Sequence, residues 1–294
     1  MMKVRIFFAF VLAGASVALL AFALSQAPQE IAVALPLATN ATSLALPPLP
    51  EPAGQAPAIQ AKAIWVPILV YHHIGKAPEN KTSAYKSFFI ESAWFEKHLQ
   101  YLQENGFTTI HFSDVADYFE SGQPLPPRPV IVSFDDGWTN FYANAFPILK
   151  KYNMTATSFV ISNLVGHSLH MSWDQIKELR DSGMEIGSHT LWHPYLTKSK
   201  KAKAEIEDSK KKLEEELGIP ITTFAYPFGD YNEQIEKMVA DAGYTTARLF
   251  STGNGISQEN IFRIPVVRVY ANVSLERWKK QLYPDEKWIQ ENSQ

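Results

Sequence analysis

From about Ile64 onward, short apolar runs alternate with stretches of helical spacing about seven times. The apolar runs are Val66–Tyr71, Thr108–Phe112, Pro129–Phe134, Thr155–Ile161, Met184–Ser188, Thr222–Ala225, Tyr244–Phe250 and Ile261–Val269. Between them, helical spacing covers Ser92–Asn105, Asn140–Tyr152, Trp173–Ser182, Lys198–Leu217 and Glu233–Ala242, with a last helix over Leu275–Leu282. Ser113 and Ser172 read as helix N-caps, and Gly106 and Gly218 as C-terminal stops. Such alternation predicts an α/β fold: a parallel sheet covered by helices, open or closed into a barrel. Chemistry in these folds sits at the C-terminal ends of the strands.

The first 63 residues do not share this pattern. Lys3 and Arg5 precede an uncharged apolar run, residues 6–24, and Ala21-Phe22-Ala23 and Ser25-Gln26-Ala27 offer small-x-small cleavage sites. Residues 1–27 therefore read as a secretory signal or as an N-terminal membrane anchor, the run being close to the roughly 20 residues that span a bilayer. Either predicts a chain exported to the periplasm, cell surface or medium. Residues 28–63 are rich in Ala and Pro, and Leu46-Pro47-Pro48-Leu49-Pro50-Glu51-Pro52 cannot be helical. They read as a semi-rigid tether, which leaves 64–294 as the expected catalytic domain.

Charge and composition narrow the chemistry. With 27 Lys+Arg against 30 Asp+Glu, no basic excess exists for nucleic acid to use. The charges of 198–217 nearly cancel along the helix and read as a solvated face. No cysteine is present, which excludes disulfides, thiolate metal sites and a Cys nucleophile. Any metal must be held by His and carboxylate.

Three polar clusters fall at expected strand ends. Ser133-Phe134-Asp135-Asp136-Gly137 puts two like charges side by side, an arrangement that needs a compensating cation, and Gly137 allows a bend that turns both into one site. Ser188-His189-Thr190-Leu191-Trp192-His193-Pro194 holds two imidazoles four residues apart, with Pro194 favouring a loop. Imidazole together with carboxylate suits Zn2+. Phe224-Ala225-Tyr226-Pro227-Phe228-Gly229-Asp230 is a loop able to aim backbone N–H groups at an oxyanion.

Taken together, these motifs resemble the polysaccharide deacetylases of NodB-homology type, carbohydrate esterase family 4. S-F-D-D-G matches the family's T/S-F-D-D-G, S-H-T-L-W-H-P matches its H-S/T-x-x-x-H-P, and A-Y-P-F-G stands in the place of R-x-P-Y/F. The resemblance implies a distorted (β/α) barrel and hydrolysis of N-acetyl groups on an N-acetylglucosamine-containing polysaccharide. It also implies one divalent metal ion, Zn2+ first, with Co2+ or Ni2+ as alternatives. Carried over by position, Asp136, His189 and His193 are the metal ligands. Asp135 is the general base, and the Phe228 backbone N–H helps to hold the oxyanion.

Two positions depart from the family pattern. The motif arginine falls at Ala225, with Arg263 or Arg268 as candidate replacements, and no histidine follows His193 to act as the late general acid. Val66–Ile74 ends in His72-His73, and exported poly-N-acetylglucosamine deacetylases carry a similar Y-H segment, which implies His72 as the acid with His73 as its rival. Trp138, Tyr142, Trp192 and Tyr195 are candidates for stacking on sugar rings. The departures also leave a non-catalytic carbohydrate-binding protein and an O-acetyl esterase as alternatives. A glycoside hydrolase fits poorly, since adjacent aspartates cannot flank a bond at a spacing of roughly 5–10 Å.

Overall fold

The computed structural model describes residues 63–253, 255–285 and 288. The expected leader at 1–27 and nearly all of the tether at 28–63 lie outside them. Among the described residues, no helix is long and apolar enough to cross a membrane. The strands are β1 (Ile68–Tyr71), β2 (His73–Ile74), β3 (Phe89–Ile90), β4 (Thr108–Thr109), β5 (Pro129–Phe134), β6 (Thr157–Val160), β7 (Glu185–Ser188), β8 (Thr223–Ala225), β9 (Thr246–Arg248) and β10 (Val267–Arg268). The helices are α1 (Ser83–Lys86), α2 (Ser92–Glu104), α3 (Phe112–Ser121), α4 (Phe146–Lys151), α5 (Trp173–Asp181), α6 (Ala202–Leu217), α7 (Glu233–Asp241) and α8 (Leu275–Lys280).

One parallel sheet runs in the order β10-β1-β5-β6-β7-β8-β9, and β4 also pairs with β5. A separate parallel pair joins β2 to β3. The segment 261–269 reaches both edges of the large sheet. Ile264 bridges to Arg248 of β9, and Val267 and Arg268 pair with Leu69 and Val70 of β1. The sheet therefore curls on itself, as the barrel expectation requires.

Strand composition follows from this curl. Central parallel strands are covered on both faces, so β1 (ILVY) and the last five residues of β5 are buried without alternating polarity. Alternate side chains still part to opposite faces. Ile68, Val70, Ile131, Phe159, Ala225 and Ile264 meet in one cluster inside the curl, closed by Phe112, Val115 and Phe119 of α3. Leu69, Tyr71, Val130, Val132, Phe134 and Ala247 face outward beneath the helices. Counting on by two from Ile131 puts Asp135 on the inner face, and counting on from Ala247 puts Arg248 there too.

Several element boundaries differ from expectation for local reasons. The expected N-cap Ser113 lies inside α3; His111 is the cap residue, its N–H donating to Asp114 Oδ2 at 2.7 Å. The expected strand over Thr108–Phe112 is thus cut to two residues. The helix expected over Asn140–Tyr152 begins as a π-turn, Phe141–Ala145, and continues as α4, where Pro147 has no N–H to offer the carbonyls of the turn before it. The widened turn lets Asn140 donate to His73 Nδ1 (3.1 Å) and Asn144 donate to the Ile74 carbonyl (2.6 Å). The helix expected from Lys198 starts at Ala202 and ends, as expected, on left-handed Gly218.

Candidate metal centre and active site

Asp135 continues the β5 ladder, its N–H donating to the Tyr71 carbonyl at 3.0 Å. The backbone then turns left-handed at Asp136 (φ 71°) and Gly137 (φ 76°), which swings the second carboxylate toward β7 instead of out the far face of the sheet. At the end of β7, His189 N–H still bonds the Val160 carbonyl. Thr190 (φ 68°) and His193 (φ 61°) then fold the loop back, and Phe228 (φ 60°) marks a similar turn after β8. Left-handed backbone at a non-glycine residue costs on the order of 1–3 kcal/mol and persists where surroundings over-determine it. Here the fixing bonds are His193 N–H to Thr190 Oγ1 (2.9 Å) and Trp192 N–H to the buried Glu205 carboxylate (2.9 Å).

These turns bring Asp136, His189 and His193 together, with one ligand atom of each within 4.8 Å of the others. Asp136 Oδ1 is 3.6 Å from each histidine Nε2, and the two Nε2 atoms are 3.1 Å apart. The donor set fits a divalent cation. His189 Nδ1–H donates to the Ala225 carbonyl at 2.7 Å, which leaves Nε2 its lone pair. Trp138 Nε1–H donates to Asp136 Oδ2 at 3.0 Å and leaves Oδ1 for the cation. Burial holds His193 down to about 4 and His189 well below the ordinary histidine value, so both rings are neutral at neutral pH. Burial also raises Asp136 to about 6 despite the Trp138 hydrogen bond; a carboxylate kept this dry needs a positive partner.

Asp135 has a separate partner. Arg248, fully buried and lying 4.6 Å over the Phe159 ring, donates Nη2–H to Asp135 Oδ1 and Nη1–H to the Leu249 carbonyl. This overturns the expectation for Arg263 and Arg268. Arg263 pairs with Glu236 (3.3 Å), and Arg268 lies over Phe250 and Tyr270. Arg248 is the cross-strand register partner of Ala225, so the arginine absent from Ala225 is supplied one strand over, on the same face. Its signal in the sequence was one arginine inside the run Tyr244–Phe250.

His72 Nε2 lies 3.8 Å from Asp135 Oδ2. Burial first, then Arg248 and the neighbouring histidines, lower it to about 3. His73 points elsewhere, stacked on Phe89 at 4.0 Å and bonded to Asn140. Two aromatics expected to stack on sugar are already engaged. Trp138 is clamped between His73 (4.6 Å) and His170 (4.3 Å), and the Tyr142 hydroxyl donates to Glu178. Trp192 is 56% exposed, while Tyr195 and Phe228 stack on each other at 4.0 Å and remain exposed beside His193.

The family model described as polysaccharide deacetylase matches residues 122–247. YxkH of Bacillus subtilis (strain 168), which bears the provisional name of a polysaccharide deacetylase, is 31% identical over 211 residues, covering 71% of this chain and 73% of the relative. The chain belongs to the polysaccharide deacetylase family. A poly-beta-1,6-N-acetyl-D-glucosamine N-deacetylase of Staphylococcus aureus (strain MRSA252) is 29% identical over 199 residues, 60% of this chain and 68% of the relative. Among solved structures, the deacetylase PplD of Streptococcus pyogenes, in complex with acetate, superposes with a TM-score of 0.70 at 28% identity. That match covers 76% of this chain and all of PplD (100%). IcaB from Ammonifex degensii gives a TM-score of 0.61 at 25% identity, over 79% of this chain and 98% of IcaB. As in PplD, the curled parallel sheet with its covering helices is the family's (β/α) barrel.

Proposed function

We propose that the chain is a metal-dependent N-deacetylase of an N-acetylglucosamine polymer, acting outside the cytoplasm. The observation that carries this reading is the convergence of Asp136, His189 and His193 on one point, with Asp135 and His72 alongside. The named substrate of the Staphylococcus relatives supports a β-1,6-linked polymer. The leader-like residues 1–27 support export.

Bound among these three ligands, a divalent cation supplies charge that acidifies water and polarises the acetamide carbonyl. Asp135 takes the proton of the attacking water, and the hydrogen bond from Arg248 aims its carboxylate. His72, kept neutral by burial, gives the departing nitrogen a proton that Asp135, 3.8 Å away, has taken from the water. The Phe228 backbone N–H, held in its left-handed turn, receives the negative oxygen. The two features that favoured a non-catalytic scaffold, alanine at 225 and no late histidine, lose their weight beside Arg248 and His72.

The test is release of primary amine from β-1,6-linked N-acetylglucosamine oligomers by the purified chain. Activity should vanish with a chelator and return with Zn2+, Co2+ or Ni2+. Asp135→Asn should abolish turnover yet keep the metal, whereas His189→Ala and His193→Ala should lose it. Amine release indifferent to both chelation and Asp135→Asn would sink the proposal, and release of acetate only from O-acetylated sugars would move it to an esterase.

A further inference from the structure

A second concave site lies beside the one described, in a cavity of about 250 Å³ lined by Gly75, Lys86, Glu91, Trp94, His98 and Tyr270 among others. Its position in the fold is informative. Gly75 follows β2, Glu91 follows β3 and Tyr270 follows β10, so the walls rise from C-terminal strand ends, as the metal ligands do. In the sheet, β10 and β1 flank β5 on one side, and β6, β7 and β8 follow on the other. The cavity and the exposed Tyr195–Phe228 stack thus lie on opposite sides of Asp135 and Asp136.

A continuous aromatic wall connects cavity and centre. The His72 ring is 4.6 Å from Phe88, and Phe88 is 5.4 Å from Tyr270, which lines the cavity. His98, buried in the cavity wall, is bonded through Nδ1 to the hydroxyl of Tyr71, the residue before His72, at 3.0 Å. The lining suits a sugar. Trp94 is 43% exposed despite its size, with Lys97 over its ring at 4.6 Å. The exposed Glu91 carboxylate caps no helix N–H, although it precedes α2. An aromatic surface with a few fixed polar groups is the usual make-up of a small-molecule site, and about 250 Å³, just under the roughly 300 Å³ at which such sites begin, holds one sugar ring rather than a length of chain.

The geometry points to a distal glycan subsite: this cavity takes one hexosamine residue of the same polymer whose acetyl group is being removed, seated on Trp94 and held through its hydroxyl or amino groups by Glu91. The inference rests on the deacetylase reading for the identity of the polymer. It makes the chain a reader of polymer length, since an oligomer too short to reach the cavity forfeits this contact.

The experiment measures dissociation constants and amine release for the disaccharide and the pentasaccharide of β-1,6-linked N-acetylglucosamine, using the full-length chain, Trp94→Ala and Glu91→Gln. Loss of the indole should weaken pentasaccharide binding by about tenfold and leave the disaccharide unchanged. Glu91→Gln, an exposed change that does not threaten folding, should act in the same direction more weakly. Equal effects on both lengths, unchanged pentasaccharide affinity in both variants, or no binding of either oligomer would overturn the subsite. Length-selective loss of binding in a chain that releases no amine would keep the subsite and defeat the deacetylase reading. Amine release without length selectivity would do the reverse.

Discussion

Arg248 and Ala225 occupy partnered positions on β9 and β8, with both side chains on the inner face of the curl. Removing one member of a buried ion pair leaves the other charged and dry, at a cost of about 3–5 kcal/mol. Arg248→Ala should therefore lower both the melting temperature and kcat, the latter by on the order of 100-fold, the scale of a misplaced general base. Adding Ala225→Arg to that variant should recover part of the activity, because the new guanidinium would enter the space just vacated. A double variant no faster than the single one would refute the exchange. A second expectation concerns metal and protons. With Asp136 at about 6 and His193 at about 4, binding a cation between these values displaces one proton, from Asp136. Affinity should fall about tenfold per pH unit below pH 6 and more steeply below 4, which competition with a metal indicator would measure.

Among the elements, α3 shows how far stabilising partners can lie from the helix they serve. The carboxylate of Glu185, first residue of β7, accepts from the Phe112 and Ser113 N–H groups at 3.0 Å each and from the Thr157 hydroxyl at 2.7 Å. It does the work of an N-cap from another strand. Glu185→Ala should cost about 1–2 kcal/mol in denaturant unfolding, and a change within error would show the contact to be idle. The same contrast explains what was legible in the sequence. Asp135-Asp136-Gly137 and the His189/His193 pair were readable because their turns are local, made by Gly137, Thr190 and Pro194 within a few residues. The strand–helix alternation was readable from apolar spacing. Arg248 was not, since its meeting with Asp135 depends on β9 and β5 facing each other across the curl. Neither was the cap at His111, whose helix is finished by Glu185, nor the π-turn at Phe141, where Asn140 and Asn144 are drawn to β2.

At the scale of the whole molecule, buried neutral imidazoles set the acid limit. His73 and His98 are held at about 4 against an ordinary 6.5, both chiefly by burial. As pH falls from 6.5 the unfolded chain takes up protons that the folded chain refuses, so stability drops across the window from 6.5 to 4. The loss is up to about 3 kcal/mol for each such residue. His72, His189 and His193 add to it in the metal-free protein, and Asp136, raised by burial, opposes them. Urea midpoints of the chelated protein should therefore fall steadily over that range; a flat profile would contradict the burial of these rings. The seam of the curl carries a different consequence. Leu69 meets Val132 of β5 on one side, but on the other its neighbour is Val267, so the first strand waits, solvent-exposed along that side, until nearly the whole polypeptide is available. Pairing partners this remote along the chain make for slow acquisition of the native state and a long interval in which a bare strand edge invites aggregation.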